Sequence, residues 1–164
     1  MPPGSKSFLD SLYGFKPHAI QKALALGYKY VIWFDPSVLP ECSLFDLFKE
    51  LSENEMLVIK GDNPLNKMTN DKAFLAFGIN KKDTENINHI GGTFYGFNFT
   101  TDNALRVFNN WLWAVENGIF GSQDEFMAGH WSDESCMALS MFRCGTEQKT
   151  SKILKYKNQK DLPL

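Results

Sequence analysis

The chain has 164 residues, a formal net charge of −2 and an aromatic content of 14%. That length supports one domain with a packed core, and so many aromatic side chains are not typical of a disordered chain. Because there is no basic excess, the sequence gives no indication of nucleic-acid binding. No apolar run approaches the roughly 20 residues that a membrane span requires, so we expect none.

The two ends of the chain and its cysteines indicate where the domain begins and ends and in which cellular compartment it is expected. Residues 1–7 are rich in Pro, Gly and Ser and are predicted to be a loose lead-in, whereas residues 145–164 form a polar tail. The three cysteines lack metal-type C-x-x-C spacing, and the N-terminus lacks the apolar core of a signal peptide. We therefore expect a single domain over residues 1–164, located in the cytoplasm, with reduced thiols.

A helix followed by an apolar strand is predicted near the N-terminus. Pro17 suits the first turn of the helix, and Gly27 suits its end. Tyr30–Phe34 is a run of apolar and aromatic residues without polar alternation, which predicts a strand buried on both faces, as in parallel sheets covered by helices. Ligands bind just past the carboxyl ends of such strands, where Asp35 lies. Asp35 before Pro36 is also a common way to open a turn.

The remainder of the chain alternates between helical and extended patterns. The spacing of apolar residues predicts helices over residues 43–52, 70–77, 101–116 and 132–142, and strands over 56–59 and 93–99. Residues 121–131 are predicted to be a loop, and residues 153–156 an edge strand. This alternation predicts an α/β fold with a mixed, mainly parallel central sheet flanked by helices.

Three groups of residues lie where a predicted loop meets a regular element, the position from which a rigid scaffold presents functional groups. They are Asp35 with Ser37, the glycine-opened strand 91–98, and His130 with Asp133 and Glu134. The last group also has a purely structural explanation. Two acids in the first turn complement the helix dipole, and a loop histidine requires no ligand.

The order of the first motifs resembles that of the GT-A nucleotide-sugar glycosyltransferases, in particular the family-eight-like branch and its relatives. In that family a helix precedes a strand that ends in an Asp-x-Asp metal motif. Here Lys16 and Pro17 open the helix, and the strand ends at Asp35. The resemblance extends over roughly residues 12–142. It implies a GT-A-like, Rossmann-like sheet.

Two later segments extend the resemblance. Residues 91–98 resemble the family's glycine-rich strand, which ends in Asn beside the donor sugar, and Asp133 with Glu134 resembles the acidic pair that opens a late helix. The resemblance implies a transferase that moves a sugar from a nucleotide-diphosphate donor to a hydroxyl group of a glycan, a protein or a small molecule. A manganese or magnesium ion on carboxylate oxygens would stabilise the diphosphate leaving group.

The resemblance also assigns roles to single residues. Asp35, Ser37, Gly92 and Asn98 would bind the donor, Asp35 and His130 would hold the metal, and Asp133 would be the general base, with Glu134 as its close rival. Ser37 departs from the family, since it stands where the second Asp of the metal motif is expected. A hydroxyl is a poor substitute for a carboxylate, so metal binding should be weak or dispensable.

A second departure concerns the N-terminus. The family places about two βα units before the helix that begins at Lys16, and these units hold the nucleotide base, but only some fifteen residues precede that helix here. The chain is therefore either a fragment, truncated at its N-terminus, or a trimmed relative without a nucleotide pocket. Two alternatives to a transferase follow from the sequence: a non-catalytic sugar- or protein-binding module on a degenerate fold, and an unrelated α/β hydrolase-like enzyme that uses Asp133 or Asp35.

Overall fold

A computed structural model describes residues 11–130 and 132–154. Within these residues the helices are α1 (Phe15–Ala25), α2 (Leu44–Ser52), α3 (Asp71–Phe77), α4 (Asp102–Glu116), α5 (Gln123–Met127) and α6 (Ser132–Cys144). The strands are β1 (Tyr30–Phe34), β2 (Met56–Pro64) and β3 (Asn88–Asn98). Two short 3₁₀ helices, Leu65–Lys67 and Lys81–Thr84, precede α3 and β3 respectively.

The three strands form one antiparallel sheet in the order β1-β3-β2. The predicted mainly parallel sheet, with its GT-A-like or Rossmann-like topology, is therefore wrong. β1 lies at an edge of the sheet instead of its centre, and none of its five residues is fully buried. Its apolar run does pack on both faces, because Val31 and Trp33 contact one core and Ile32 and Phe34 contact another. Packing on both faces does not determine strand direction or position, which explains the error.

Local signals located the helix ends well. The side chains of Ser43, Asn70 and Thr101 accept hydrogen bonds from backbone N–H groups in the first turns of α2, α3 and α4, as N-cap residues do. Gly27 and Gly78 follow α1 and α3 with φ of +90° and +64°, in the left-handed region that favours glycine. These ends agree with the helices that the sequence predicts.

The predicted loop over residues 121–131 contains a helix, α5. Ser122 and Glu125 form a capping box, in which each side chain bonds the backbone N–H of the other residue. The predicted edge strand over residues 153–156 is not found at Ile153 or Leu154, and its last two residues lie outside the described part of the chain. Thr150 forms an isolated parallel bridge with Val58 of β2 instead.

The sheet separates two cores of unequal size. The large core lies between the sheet and helices α1, α3, α4 and α6, and it contains Tyr95, Phe97, Phe108 and Trp111. The small core lies under α2 on the opposite face, and its fully buried members are Leu47, Leu51, Leu57 and Phe94. The large core therefore anchors the elements that carry the polar cluster described next.

Candidate functional site: a buried lysine with three carboxyl groups

Lys16, in the first turn of α1, is the centre of a polar cluster. Its side chain is only 2% exposed. The Nζ atom lies 2.9 Å from Asp133 Oδ2 and 3.0 Å from Asp35 Oδ1, and it donates a hydrogen bond of 2.9 Å to the backbone oxygen of Gly92. An ammonium group has three protons, so these contacts satisfy it fully. We call Lys16, Trp33, Asp35, His89, Gly92, Tyr95, Asp133 and Glu134 the Lys16 cluster.

Asp35 enters the cluster from the end of β1. Its Oδ1 atom accepts a 2.7 Å hydrogen bond from the indole Nε1–H of Trp33 as well as contacting Lys16. The backbone N–H of Val38 bonds the backbone oxygen of Asp35, so residues 35–38 also form a turn. The turn that the sequence indicates at Asp35 is therefore present, and the carboxylate of Asp35 also belongs to the Lys16 cluster. Its side chain is 21% exposed, so part of the carboxylate faces solvent.

Asp133 enters from the first turn of α6 and is 2% exposed. Its Oδ2 atom accepts a 3.0 Å hydrogen bond from the hydroxyl of Tyr95 on β3, and its backbone oxygen accepts one of 2.9 Å from the indole of Trp111 on α4. Three elements thus fix its position. Because both polar partners of its Oδ2 are also buried, Asp133 belongs to the floor of the cluster, away from solvent.

Glu134, the next residue, faces β3. Its Oε1 atom accepts a 2.6 Å hydrogen bond from the backbone N–H of Gly92. Its Oε2 atom is buried, receives no hydrogen bond from the residues that the structure describes, and lies 3.6 Å from Nε2 of His89. A Cβ atom at position 92 would lie 2.8 Å from Glu134 Oε1 and 3.0 Å from Asp133 Oδ2. Glycine at this position is therefore what allows the two acids to approach the strand.

The cluster places one ammonium among three carboxyl groups, and this charge balance determines where protons reside. Burial acts to lower the pKa of Lys16, but Asp133 and Asp35 outweigh it, so the pKa is raised and the group stays charged. Burial and the neighbouring Asp133 raise the pKa of Glu134 to about 8. Burial likewise raises the pKa of Asp133, against the opposing effect of Lys16. Glu134 is therefore protonated at neutral pH.

The structure does not bring three of the predicted site residues into the cluster. Ser37 is exposed in the turn after β1. Asn98 lies at the far end of β3, opposite Tyr30, and its amide bonds the backbone at the end of α2. His130 is buried, its Nε2 donating to the Ile119 oxygen at 2.9 Å and its Nδ1 accepting from the Asn70 N–H at 3.5 Å. Burial lowers the pKa of His130, so it is a neutral structural residue.

The residues present do not fit a divalent metal ion. Lys16 Nζ lies 3.0 Å and 3.3 Å from the two carboxylate oxygens of Asp35, and its ammonium supplies the positive charge that a metal would supply. Both ring nitrogens of His130 are engaged elsewhere. Across residues 11–130 and 132–154, no three His, Cys, Asp or Glu side chains are grouped so that they could hold a metal.

Sequence reasoning missed four members of the cluster: Lys16, Trp33, His89 and Tyr95. Lys16 was noticed as a motif residue before Pro17, but nothing local shows that its side chain is buried. Tyr95 and Trp33 share a face of the sheet because β1 and β3 pair in this register, which the sequence does not reveal. No pattern in the sequence indicates His89 as a site residue. It contacts Glu134 only because β3 and α6 pack together.

Comparison with known proteins identifies no family for this chain. No protein-family model matches the chain, and no curated protein or solved structure is similar enough to count as a match. In the described part of the chain, none of the helices is both long enough and apolar enough to pass through a membrane.

Proposed function

We propose that the Lys16 cluster is the reaction centre of a glycosyltransferase, which moves a sugar from a nucleotide-diphosphate donor to a hydroxyl acceptor. The observation that supports this proposal is the meeting of Asp35 with Asp133 and Glu134, which lie about a hundred residues apart in the chain, around one buried lysine. Ionisable groups that are buried together with strongly shifted pKa values are concentrated at functional sites.

In this proposal the buried and the more accessible groups of the cluster have different roles. Lys16 and Asp133 are 2% exposed and hold the others in place, whereas Asp35 is 21% exposed and can meet a ligand. The Glu134 side chain is 17% exposed, but its Oε2 atom is buried, so on this proposal a movement of the side chain brings that atom to the acceptor. We assign Asp35 to a hydroxyl group of the donor, for example on the ribose. We assign the proton transfer to Glu134 in place of Asp133, because Asp133 is 2% exposed and its Oδ2 atom is held by Lys16 and Tyr95 in the floor of the cluster.

The proposed step breaks the bond between the anomeric carbon and the donor's diphosphate oxygen. The acceptor oxygen forms a new bond to that carbon, the acceptor proton passes to the Glu134 carboxylate, and the nucleoside diphosphate leaves. Since the pKa of Glu134 is about 8, only a minor fraction is ionised at pH 7. Transfer should therefore rise with pH up to about 8 and then level off.

The test begins with binding. Uridine diphosphate glucose and guanosine diphosphate mannose, each with and without Mn²⁺, are added to the purified chain, and the melting temperature is measured. A ligand at about 100 times its Kd adds about 2.7 kcal/mol, which is several degrees for a domain of this size. Asp35→Asn should remove the shift. If no donor shifts the melting temperature, the transferase proposal is refuted for this chain.

Turnover is tested with Glu134→Gln, which retains the hydrogen bond from Gly92 but cannot accept a proton. We expect the variant to keep the donor-induced shift and to lose sugar transfer to a mixture of hydroxyl acceptors, measured by mass spectrometry. Equal transfer by both proteins would contradict the assignment of Glu134.

A non-catalytic binding module is the second candidate. It is favoured by the complete satisfaction of Lys16 within the protein, which leaves its ammonium no capacity for a ligand. On this proposal a sugar or nucleotide sugar raises the melting temperature of the wild type and of Glu134→Gln equally. No transfer product then forms with either protein.

A further inference from the structure

The outer edge of β1 is an open strand edge. β1 pairs with β3 on one side, and on its other side no strand among residues 11–130 and 132–154 pairs with it. The N–H of Asp35 bonds Thr93, and the oxygen of Lys29 accepts from Phe99, so these odd-numbered positions direct their backbone groups toward β3. Backbone groups alternate in direction along an antiparallel strand, so those of Tyr30, Ile32 and Phe34 point away from β3.

Within the part of the chain that the structure describes, the five residues of this edge include no Lys or Pro, and its pairing with β3 has no bulge. Lys or Pro residues, bulges or a covering segment usually prevent edge-to-edge pairing. All five residues of β1 are apolar or aromatic, and Tyr30 is 38% exposed. Charged residues occur only on either side of the strand, Lys29 before it and Asp35 after it.

An exposed apolar surface on α2 continues the open edge. Leu44, Phe45 and Phe48 are 48%, 78% and 40% exposed, and they lie on one side of the buried stripe that Leu47 and Leu51 form. The opposite side of the helix carries Glu50, whose carboxylate bonds Ser151 and Lys152 of the segment that runs beside β2. The exposed apolar side of α2 therefore faces the β1 edge.

We propose that this surface binds a second copy of the chain, with the two β1 strands pairing antiparallel about a two-fold axis at Ile32. In that register each residue faces the residue of the other copy for which the two residue numbers sum to 64. Tyr30 then faces Phe34 and Ile32 faces its own equivalent, and these are the residues whose backbone groups point outward. About six new backbone hydrogen bonds form. The two sheets join into one, and both α2 helices lie on the same side of it.

The charges at the strand ends support a second copy as the occupant. The same register places Lys29 of one copy opposite Asp35 of the other, on the face that carries the Lys16 cluster. Facing side chains in antiparallel strands lie about 5 Å apart at Cβ, so opposite charges attract and like charges repel. Because β1 is flanked by Lys at one end and Asp at the other, two copies of it bring opposite charges together when they pair antiparallel. Parallel pairing would bring like charges together. The partner's lysine would border the site at its exposed carboxylate.

The first measurement is the molar mass of the chain by light scattering and sedimentation over a range of concentrations. The mass should rise from 18.7 kDa toward twice that value. Backbone amides of Tyr30, Ile32 and Phe34 should become more protected from hydrogen exchange as the dimer forms. A mass that stays monomeric up to several hundred micromolar overturns the proposal, and so does unchanged exchange at these amides when the mass doubles.

Two variants test the register. Lys29→Glu places a like charge opposite Asp35 of the other copy and should raise the dimer Kd at least about tenfold. Tyr30→Pro removes an outward N–H at the first strand position, where proline is tolerated, and leaves every bond between β1 and β3 in place. It should abolish dimers with little change in melting temperature. Lys82→Glu makes the same charge change at an exposed residue of a 3₁₀ helix and serves as the control. A dimer Kd that is equal in all four proteins overturns the proposed interface.

Discussion

The two faces of the sheet differ in how completely helices cover them. On one face α1, α3, α4 and α6 enclose the large core, and charged groups such as Lys16 and Asp133 are buried at its border. On the other face α2 is the one helix of the described residues that covers the small core, Cys42 and Leu154 also pack against it, and aromatic side chains such as Phe45 remain exposed. Buried charges require fixed partners from several elements, which only the enclosed face provides. The face under α2 is the one on which we propose that a second copy of the chain binds.

The largest expected effect is that of Lys16→Met, on the enclosed face. The substitution leaves Asp133 buried without its counter-ion, so we expect the free energy of unfolding to fall by about 3–5 kcal/mol at pH 7. Chemical denaturation measures this quantity. The control is Lys81→Met, which removes the ion pair with Asp71, where the side chains are 45% and 86% exposed. It should cost less than about 1 kcal/mol. Equal losses would mean that burial of the cluster has been overestimated.

A matched pair of leucines compares the two cores directly. Leu139 in the large core and Leu47 in the small core are both fully buried. We expect Leu139→Ala to cost about 3–4 kcal/mol and Leu47→Ala about 2–3 kcal/mol, because the cavity under a single helix can collapse further. Denaturant midpoints at constant m-value measure both. The reverse order would show that α2 is as rigidly packed as the helices of the other face.

The pH dependence of stability tests the proton on Glu134. Its pKa is about 8 in the folded protein, against 4.5 as the ordinary value, so the folded state holds a proton that the unfolded state releases between these pH values. Stability from this group is fully present below pH 4.5 and is lost as the pH rises through about 8. Allowing for its partial exposure, we expect the wild type to lose roughly 2–3 kcal/mol across this range relative to Glu134→Gln. Parallel stability curves for the two proteins would contradict the assigned proton.

The smallest predicted effect concerns adjacent glycines of β3. Gly92→Ala inserts a methyl group 2.8 Å from Glu134 Oε1, so we expect a loss of about 1–2 kcal/mol and a changed pH dependence near pH 8. At Gly91 the nearest atom to an added Cβ is 3.5 Å away, in Ile59, which is an ordinary contact. Gly91→Ala should therefore be neutral or slightly stabilising. Similar losses in both variants would indicate a general effect on the strand.

The sequence by itself determined most of the local structure. Ser43, Asn70 and Thr101 begin helices, and Gly27 and Gly78 end them, because a cap depends on residues within one turn. The apolar run of β1 correctly predicts a strand, although none of its residues is fully buried. The sequence also indicates Asp35, Gly92, Asp133 and Glu134 as candidates, since each lies at the predicted start or end of a strand or in the first turn of a helix. In the structure Gly92 lies inside β3, which begins at Asn88.

Only the tertiary structure decided strand direction, the edge position of β1 and the composition of the cluster. Strand pairing joins residues far apart in the chain, and no local pattern distinguishes an antiparallel neighbour from a parallel one here. Lys16 and His89 became site residues because α1, β3 and α6 pack together around them. Asn98 does not belong to the site for the same reason, since its side-chain amide hydrogen-bonds the backbone at the end of α2. A side chain's burial and partners are properties of the packed molecule, which local sequence does not encode.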